Sequence, residues 1–467
     1  MHVLVTIAHY GSKNRSFLDR MLDTFREMTF EVDVVVLSEA PKDLPDDVQI
    51  RVGLPTDDPW SLPFAHRQVF QERLFDYDLF VYSEDDTLIE QRHLEAFLEV
   101  SAILPEDHLP GSMRYELDEQ GARSYCSFHS HYRWDPKSAF VMGGHAFARF
   151  TNDHAAWYAV TQDQLKRAIS SGGFLVPPHA GDYDMLVSAA TDIFTRCGFT
   201  RVISLDRVDD FLVHHLPNVY LGQFGIDETS FRAQVDAMQA IATGDLASDQ
   251  LVIPETALDP AWNRHAFTLV PSEIDELVPT RNARVLSVGA AAGLPEAALA
   301  RAGHQVTTVP VDEVFAAVQR ERGLEALGPD VDLGEVLASR DPYDHVLLLD
   351  LLPFMPDPIH LLRAIRPALR AGGDLRGTVP DMRRYNLRNH LLRRTRARAL
   401  PQRSQEGGLH WTDARIVRVW LRRAEISLER IEHRSARRDE PFGVGGLRGR
   451  LWGNSLFFAA RPPRSRG

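Results

Sequence analysis

Between Leu79 and Ile89 the chain reads LFVYSEDDTLI, an apolar strand that runs directly into Glu84, Asp85 and Asp86 and then turns apolar again. Three adjacent carboxylates repel one another, so something positive must compensate them. Glu84 and Asp86 are two apart in extended backbone and point the same way, a spacing that lets both grip one ion. Hard divalent cations such as Mg2+ and Mn2+ favour oxygen ligands and are commonly held by one or two carboxylates together with a substrate's phosphates. The plainer alternative is a solvated turn whose acids cap the next helix, but Thr87 can cap it alone.

The elements that must position these acids alternate in type. HVLVTIA is a short apolar strand, RSFLDRMLDTFREM has apolar residues at helical spacing, EVDVVVLSE is a strand, and PFAHRQVFQERLF is a helix leading into DLFVYSEDD. Such alternation predicts a mostly parallel sheet covered by helices, with ligands at the carboxyl ends of the strands. His9, Glu39 and the acidic triplet all fall there. A less regular middle follows, then the helix-like GDYDMLVSAATDIFTRCGF and the strand-like RVISLDRVDDFLVHHLPN. A second complete α/β pattern restarts at ARVLSVGAAAGLPEAALARAGHQVTTVPVDE, so the expected organisation is a first domain over 1–245, a linker over 246–280 and a second domain over 281–467.

Composition bounds the remaining choices. The chain has 467 residues, 44% of them apolar and 25% charged, as in a globular protein of two or three domains. Two cysteines, Cys126 and Cys197, exclude a disulfide scaffold and suit a reducing cytoplasm. No window approaches the roughly 18 uninterrupted apolar residues of a membrane span. The N-terminal MHVLVTIAHY lacks the basic flank and cleavage site of a leader and reads as a buried first strand. The net charge of −13 argues against nucleic acid as a partner, while the Arg-rich stretch from Arg383 to Arg403 suits an anionic or lipid-linked acceptor. The expected location is cytoplasmic, with a peripheral place at the inner membrane surface.

With its helix leading into YDLFVYSEDDTLI, the first domain resembles the GT-A glycosyltransferases, in which a DXD motif ends a strand and binds a divalent metal on a nucleotide-sugar diphosphate. Glu84 stands in place of the first Asp of that motif. The resemblance implies metal ligation by Glu84, Asp86 and His215, the last chosen over His214 because it stands before LPN. It places Thr6, His9, Tyr10 and Arg15 in a nucleotide-binding first loop, with Asp85 and Arg67 toward the donor. Asp182 or Asp184, at a helix start, becomes the candidate base that takes a proton from an acceptor hydroxyl in an inverting reaction; as an N-cap either has a purely structural role.

From about Ala283 onward the chain resembles class I S-adenosylmethionine-dependent methyltransferases, through YDHVLLLDLLPFMPDPIHLLRAIRPALRAGGDLRGTVPD and GLHWTDARIVRVWLRRAEISLERIE. The cofactor turn departs from that family. LSVGAAAG keeps Gly289 and Gly293 but has Ala291 at the middle glycine and Ser287 at the acidic position, and Pro310 replaces the acid that holds the ribose. Asp332 matches the adenine position, and Asp312 lies a small shift from the ribose one. These losses imply a domain turned over to acceptor binding, assembly or a partner enzyme.

The expected fold class is thus α/β, a GT-A-like Rossmann-type nucleotide-sugar domain followed by a second Rossmann-like domain of the class I methyltransferase type. The leading expectation is a metal-dependent hexosyltransferase, using Mn2+ or Mg2+, that moves a sugar from a nucleotide-sugar to a glycan or other glycoconjugate. Two alternatives stand beside it: an S-adenosylmethionine-dependent methyltransferase acting on a sugar or glycan, with the first domain as recognition module, and a non-catalytic scaffold in a polysaccharide pathway.

Overall fold

A computed structural model describes residues 1–128, 132–181, 183–222, 225–247, 252, 277–328, 332–382, 410–434 and 455–462. The chain divides into two compact units, one of Met1–His129, Arg133–Glu228 and Met238–Asp245, the other of Ser130–Tyr132, Thr229–Ala237 and Leu246–Gly467. The expected linker over 246–280 and the Arg-rich stretch from Arg383 to Arg403 lie almost wholly or wholly outside the described residues.

In the first unit, β1 (His2–Ala8), β2 (Glu31–Ser38), β3 (Val48–Val52) and β4 (Leu79–Glu84) form a parallel sheet. Residues Val3, Leu4, Val5, Ile7, Leu79, Phe80, Val81 and Tyr82 are fully buried, so both faces of this sheet are covered and its strands read as continuous apolar runs. The helix Arg15–Arg26 covers it with Leu18, Met21, Leu22 and Phe25, at the three- and four-residue spacing that makes one apolar stripe. Smaller strands complete the unit: β5 (Thr87–Leu88), β6 (His108–Pro110), β7 (Met113–Leu117), β8 (Arg123–Tyr125), β9 (Trp134–Met142), β10 (His145–Phe150), β11 (Trp157–Thr161), β12 (Thr200–Ser204), β13 (Leu212–His215) and β14 (Ile226–Asp227). They extend the first sheet to the order β11-β4-β1-β2-β3 and make two more, β6-β12-β10-β9 and β14-β8-β7-β13-β5. The segment from Arg201 to His215 reads as one strand in sequence but is two, β12 and β13. Its polar centre forms a turn, where Arg207 pairs with Asp210 (3.0 Å) and the Asp206 carboxylate accepts from the backbone N–H of Ala146 (3.0 Å).

The second unit holds one seven-stranded sheet of β15 (Arg284–Ala290), β16 (Gln305–Pro310), β17 (Glu325–Ala326), β18 (Tyr343–Leu349), β19 (Leu369–Pro380), β20 (Ser427–Arg434) and β21 (Ser455–Arg461), in the order β17-β16-β15-β18-β19-β21-β20. All neighbours are parallel except β21, which runs antiparallel to both β19 and β20. The order reverses between β15 and β18, and an open sheet of this kind binds its ligand in the crevice at that reversal. Helices Leu294–Arg301, Glu313–Glu321, Pro358–Ile365 and Ala414–Arg423 cover the faces.

The close approach of β19 to its neighbours is carried by Gly377, where a Cβ would lie 2.6 Å from the carbonyl oxygen of Leu348 and 2.5 Å from the ring of Phe458. A backbone oxygen cannot step aside as a flexible side chain does. Gly377→Ala is therefore expected to destabilise the protein by about 1–3 kcal/mol, the usual cost of overpacking, read as a lower midpoint in chemical denaturation. An unchanged midpoint would mean that β18 and β19 are not packed this closely.

Candidate functional site

Strand register builds the acidic site of the first unit. Parallel pairing sets Ala8 of β1 opposite Glu84 of β4, so the residues that follow, His9 and Asp85, leave the sheet side by side. His9 Nδ1 lies 2.6 Å from Asp85 Oδ2, and Asn14 Nδ2 donates to Asp85 Oδ1 at 2.8 Å. Antiparallel pairing of β13 with β5 sets His215 opposite Thr87, while parallel pairing of β13 with β7 sets His214 opposite Tyr115. His215 thereby comes between two acids, with Nδ1 2.6 Å from Glu116 Oε1 and Nε2 3.6 Å from Asp86 Oδ2. The second oxygen of Glu116 accepts from the backbone N–H of Tyr220 (2.8 Å), and the Tyr220 ring stacks on His215.

The three carboxylates are thus compensated differently. Asp85 has His9 and Asn14; burial pushes its pKa up while those two partners pull it back. Asp86 faces His215. Glu84 is pushed well above its ordinary 4.5, first by burial and then by the charge of Asp86, with Arg114 opposing. Its Oε1 is buried and has no hydrogen-bond partner among the described residues. A carboxyl group in that setting holds its proton more tightly than a solvated one.

The other candidates lie as follows. Thr6 is fully buried within β1, its Oγ1 3.5 Å from the carbonyl of Val81, whereas Tyr10 is 53% exposed. Arg15 pairs with Asp19 (2.8 Å) and donates to the carbonyl of Asp43. Arg67 is buried in an ion pair with Asp192 (2.9 Å) and donates to the carbonyls of Phe174 and Ala189. Asp184 is exposed and caps the helix Met185–Thr195, accepting from the backbone N–H of Val187 (3.0 Å); Asp182 lies outside the described residues. His214 turns the other way, stacked on Tyr115. Glu116 and Cys126, neither of them expected at the site from the sequence, offer donor atoms within 4.8 Å of one another and of His215. Burial pushes the Cys126 thiol up to about 11, so it stays protonated at neutral pH. Glu116 sits mid-strand in MRYEL with no neighbouring signal that it is buried.

In the second unit, β15 ends in a turn shaped by Gly289 and Gly293, both with φ of +71°, in the left-handed region that favours glycine. Ala291 between them is not in that region, so the turn tolerates its methyl group. A Cβ at Gly293 would lie 2.9 Å from Cγ of Gln319 and 3.0 Å from Cδ1 of Leu324. Gln319 clamps the turn: its Nε2 donates to the carbonyls of Ala290 (2.9 Å) and Ala291 (2.6 Å), and its Oε1 accepts from Thr308 (2.5 Å). Ser287 donates to Glu296 at 2.6 Å, both buried. At the end of β16, Asp312 caps the next helix through the N–H of Phe315 (2.9 Å), and Glu313 is buried with Oε1 lacking a hydrogen-bond partner among the described residues. Asp332 also caps a helix, accepting from Glu335 (3.0 Å).

A family model described as a methyltransferase domain matches residues 262–429. The C-terminal unit carries a methyltransferase domain. Its sheet is the mixed α/β, Rossmann-like sheet of the class I methyltransferase fold. The chain is 34% identical over 128 residues to a ubiquinone biosynthesis O-methyltransferase of Xylella fastidiosa, covering 24% of this chain and 52% of that protein. It is 32% identical over 150 residues to a protein of the same description from Xanthomonas euvesicatoria pv. vesicatoria, covering 31% and 59%. The chain spans about half the length of the curated relatives it matches. Among solved structures, an S-adenosylmethionine dependent methyltransferase from Mesorhizobium loti aligns at 16% identity and a TM-score of 0.31, over 41% of this chain and 96% of that one.

The methyltransferase match corrects the leading expectation. The enzyme class it supports is methyl transfer, not hexosyl transfer from a nucleotide-sugar, and the cofactor expectation of Mn2+ or Mg2+ falls with it. The physical reason is visible at the triplet, where His9, Asn14, His215 and Arg114 supply compensation for which a divalent ion was invoked. The doubt about S-adenosylmethionine is corrected as well, since the methyltransferase domain retains its two left-handed glycines and Ala291 occupies backbone that needs no glycine. Among the described residues no helix is long and apolar enough to cross a membrane.

The raised pKa of Glu84 has a measurable consequence. A carboxyl group whose folded pKa is raised binds more protons folded than unfolded, so stability falls as pH rises from about 4.5 toward the raised value. Glu84→Gln keeps the shape without the ionisable group. Its thermal midpoint should match the wild type near pH 4 and exceed it increasingly as pH rises above about 4.5; parallel curves would show that the Glu84 pKa is not raised in the folded protein.

Proposed function

We propose that this protein transfers a methyl group from S-adenosylmethionine to a hydroxyl oxygen, with the first unit as the recognition module for a sugar, glycan or other hydroxylated acceptor. The observation that carries the reading is the methyltransferase match over residues 262–429, supported by 32–34% identity to O-methyltransferases.

The residues at the sheet's reversal fit the methyl donor. The Gly289 and Gly293 turn lets backbone approach a ligand at the end of β15, and Gln319 holds that turn in one shape. Glu313 Oε1 is a buried acceptor without a hydrogen-bond partner among the described residues at the end of β16, one residue beyond Asp312, where a ribose hydroxyl would satisfy it. Bound S-adenosylmethionine supplies an electrophilic methyl group on a sulfonium centre. The chain's own part is to orient that group and exclude water, which the apolar core around Leu351, Leu352, Phe354 and Met355 after β18 favours. In the first unit, Asp184 and the partly exposed Asp86 present carboxylate oxygens suited to acceptor hydroxyls.

The test is transfer of labelled methyl from S-adenosylmethionine to a panel of sugars, glycans and hydroxyaromatic compounds. Transfer to one class is expected, and Gly293→Val, whose side chain meets Gln319 and Leu324, should lower kcat/KM by about 100-fold. A folded wild-type protein that neither transfers methyl to any of them nor binds S-adenosylmethionine would overturn the reading.

A further inference from the structure

The strand position that holds an acid in the resembling methyltransferases is Ser287, yet the structure leaves that place acidic. Glu296, on the helix Leu294–Arg301, folds back onto β15 and accepts from Ser287 Oγ at 2.6 Å. Its carboxylate is therefore one hydrogen bond from the strand position, three residues beyond Gly293, and the residue is 2% exposed. The turn between them is fixed by left-handed Gly289 and Gly293 and by the Gln319 clamp, so Glu296 has a defined position relative to any ligand lying against that turn.

We propose that Glu296 replaces the strand acid and holds the ammonium group on the methionyl end of the methyl donor, with Ser287 as the positioning residue that orients its carboxylate. The inference rests on the methyl-donor reading above. S-adenosylmethionine and S-adenosylhomocysteine both carry an ammonium group on that end, and a buried carboxylate is its natural complement. The donor's neutral fragment 5′-methylthioadenosine has the adenosine but no amino acid, so it separates this contact from the rest of the site.

The experiment is calorimetric titration of S-adenosylhomocysteine and 5′-methylthioadenosine into the full chain, for wild type, Glu296→Gln and the double variant Ser287→Asp/Glu296→Ser, which moves the acid back to the strand. The expected result is that Glu296→Gln binds S-adenosylhomocysteine about tenfold more weakly, with 5′-methylthioadenosine unchanged, and that the double variant recovers most of the loss. Equal S-adenosylhomocysteine affinity in Glu296→Gln and wild type, or an equal loss for both ligands, would overturn the assignment. Should Glu296→Gln fail to fold, a folded double variant that binds 5′-methylthioadenosine but not S-adenosylhomocysteine would overturn it too. A wild type that binds neither ligand would instead remove the methyl-donor reading, and this inference with it.

Discussion

The turn that closes β15 is the constraint on which the geometry at the second sheet's reversal depends. Gly289 and Gly293 take backbone angles that other residues reach only with strain, and Gly293 also packs against Gln319 and Leu324 with no room for a side chain. Gln319 then bonds two carbonyls of the turn through its amide nitrogen while its oxygen accepts from Thr308 on β16. One side chain thus ties turn, helix and neighbouring strand together. The crevice where the strand order reverses inherits its shape from that tie, and so does the position of Glu296.

The first unit solves a different problem, the placement of three adjacent carboxylates at the end of a buried strand. Coulomb repulsion at such spacing is relieved by pairing or by protonation. Pairing holds Asp85 between His9 and Asn14 and sets Asp86 facing His215, while burial and the neighbouring charges raise the pKa of Glu84. His215 is itself oriented by Glu116, whose other oxygen is fixed by the backbone of Tyr220. The result is a pre-arranged polar site in which Asp85, Asp86 and His215 each have a protein partner.

Much of this organisation is legible in the sequence because it follows from local pattern. The apolar runs of β1, β2, β4 and β18, the helical spacing of Leu18, Leu22 and Phe25, and the restart of an α/β pattern near residue 283 each reflect burial acting on a short segment. What is not legible depends on register between distant strands or on backbone angles. Glu116 looks like an ordinary strand residue until pairing of β7 with β13 sets it beside His215. Arg67 reads as a helix residue reaching toward a donor, but the helix presents it inward to Asp192, 125 positions away in sequence. Ala291 counts as a lost glycine only while its φ is unknown, and Ser287 as a lost acid only while Glu296 is not seen to lie against it. An acidic triplet, in turn, has the same spacing whether it binds a metal ion or is compensated by the protein around it, and this ambiguity misdirects the functional reading.

The central claim is that the methyl donor binds at the β15 turn of the second unit. The most direct measurement is ultraviolet cross-linking of methyl-labelled S-adenosylmethionine to the intact chain, followed by peptide mapping of the labelled residues. The account predicts label confined to peptides between about residues 284 and 355, reduced by excess S-adenosylhomocysteine, because β15, β16 and β18 end at the reversal of that sheet. Label confined to residues 1–245, or label that excess S-adenosylhomocysteine does not displace, would contradict it.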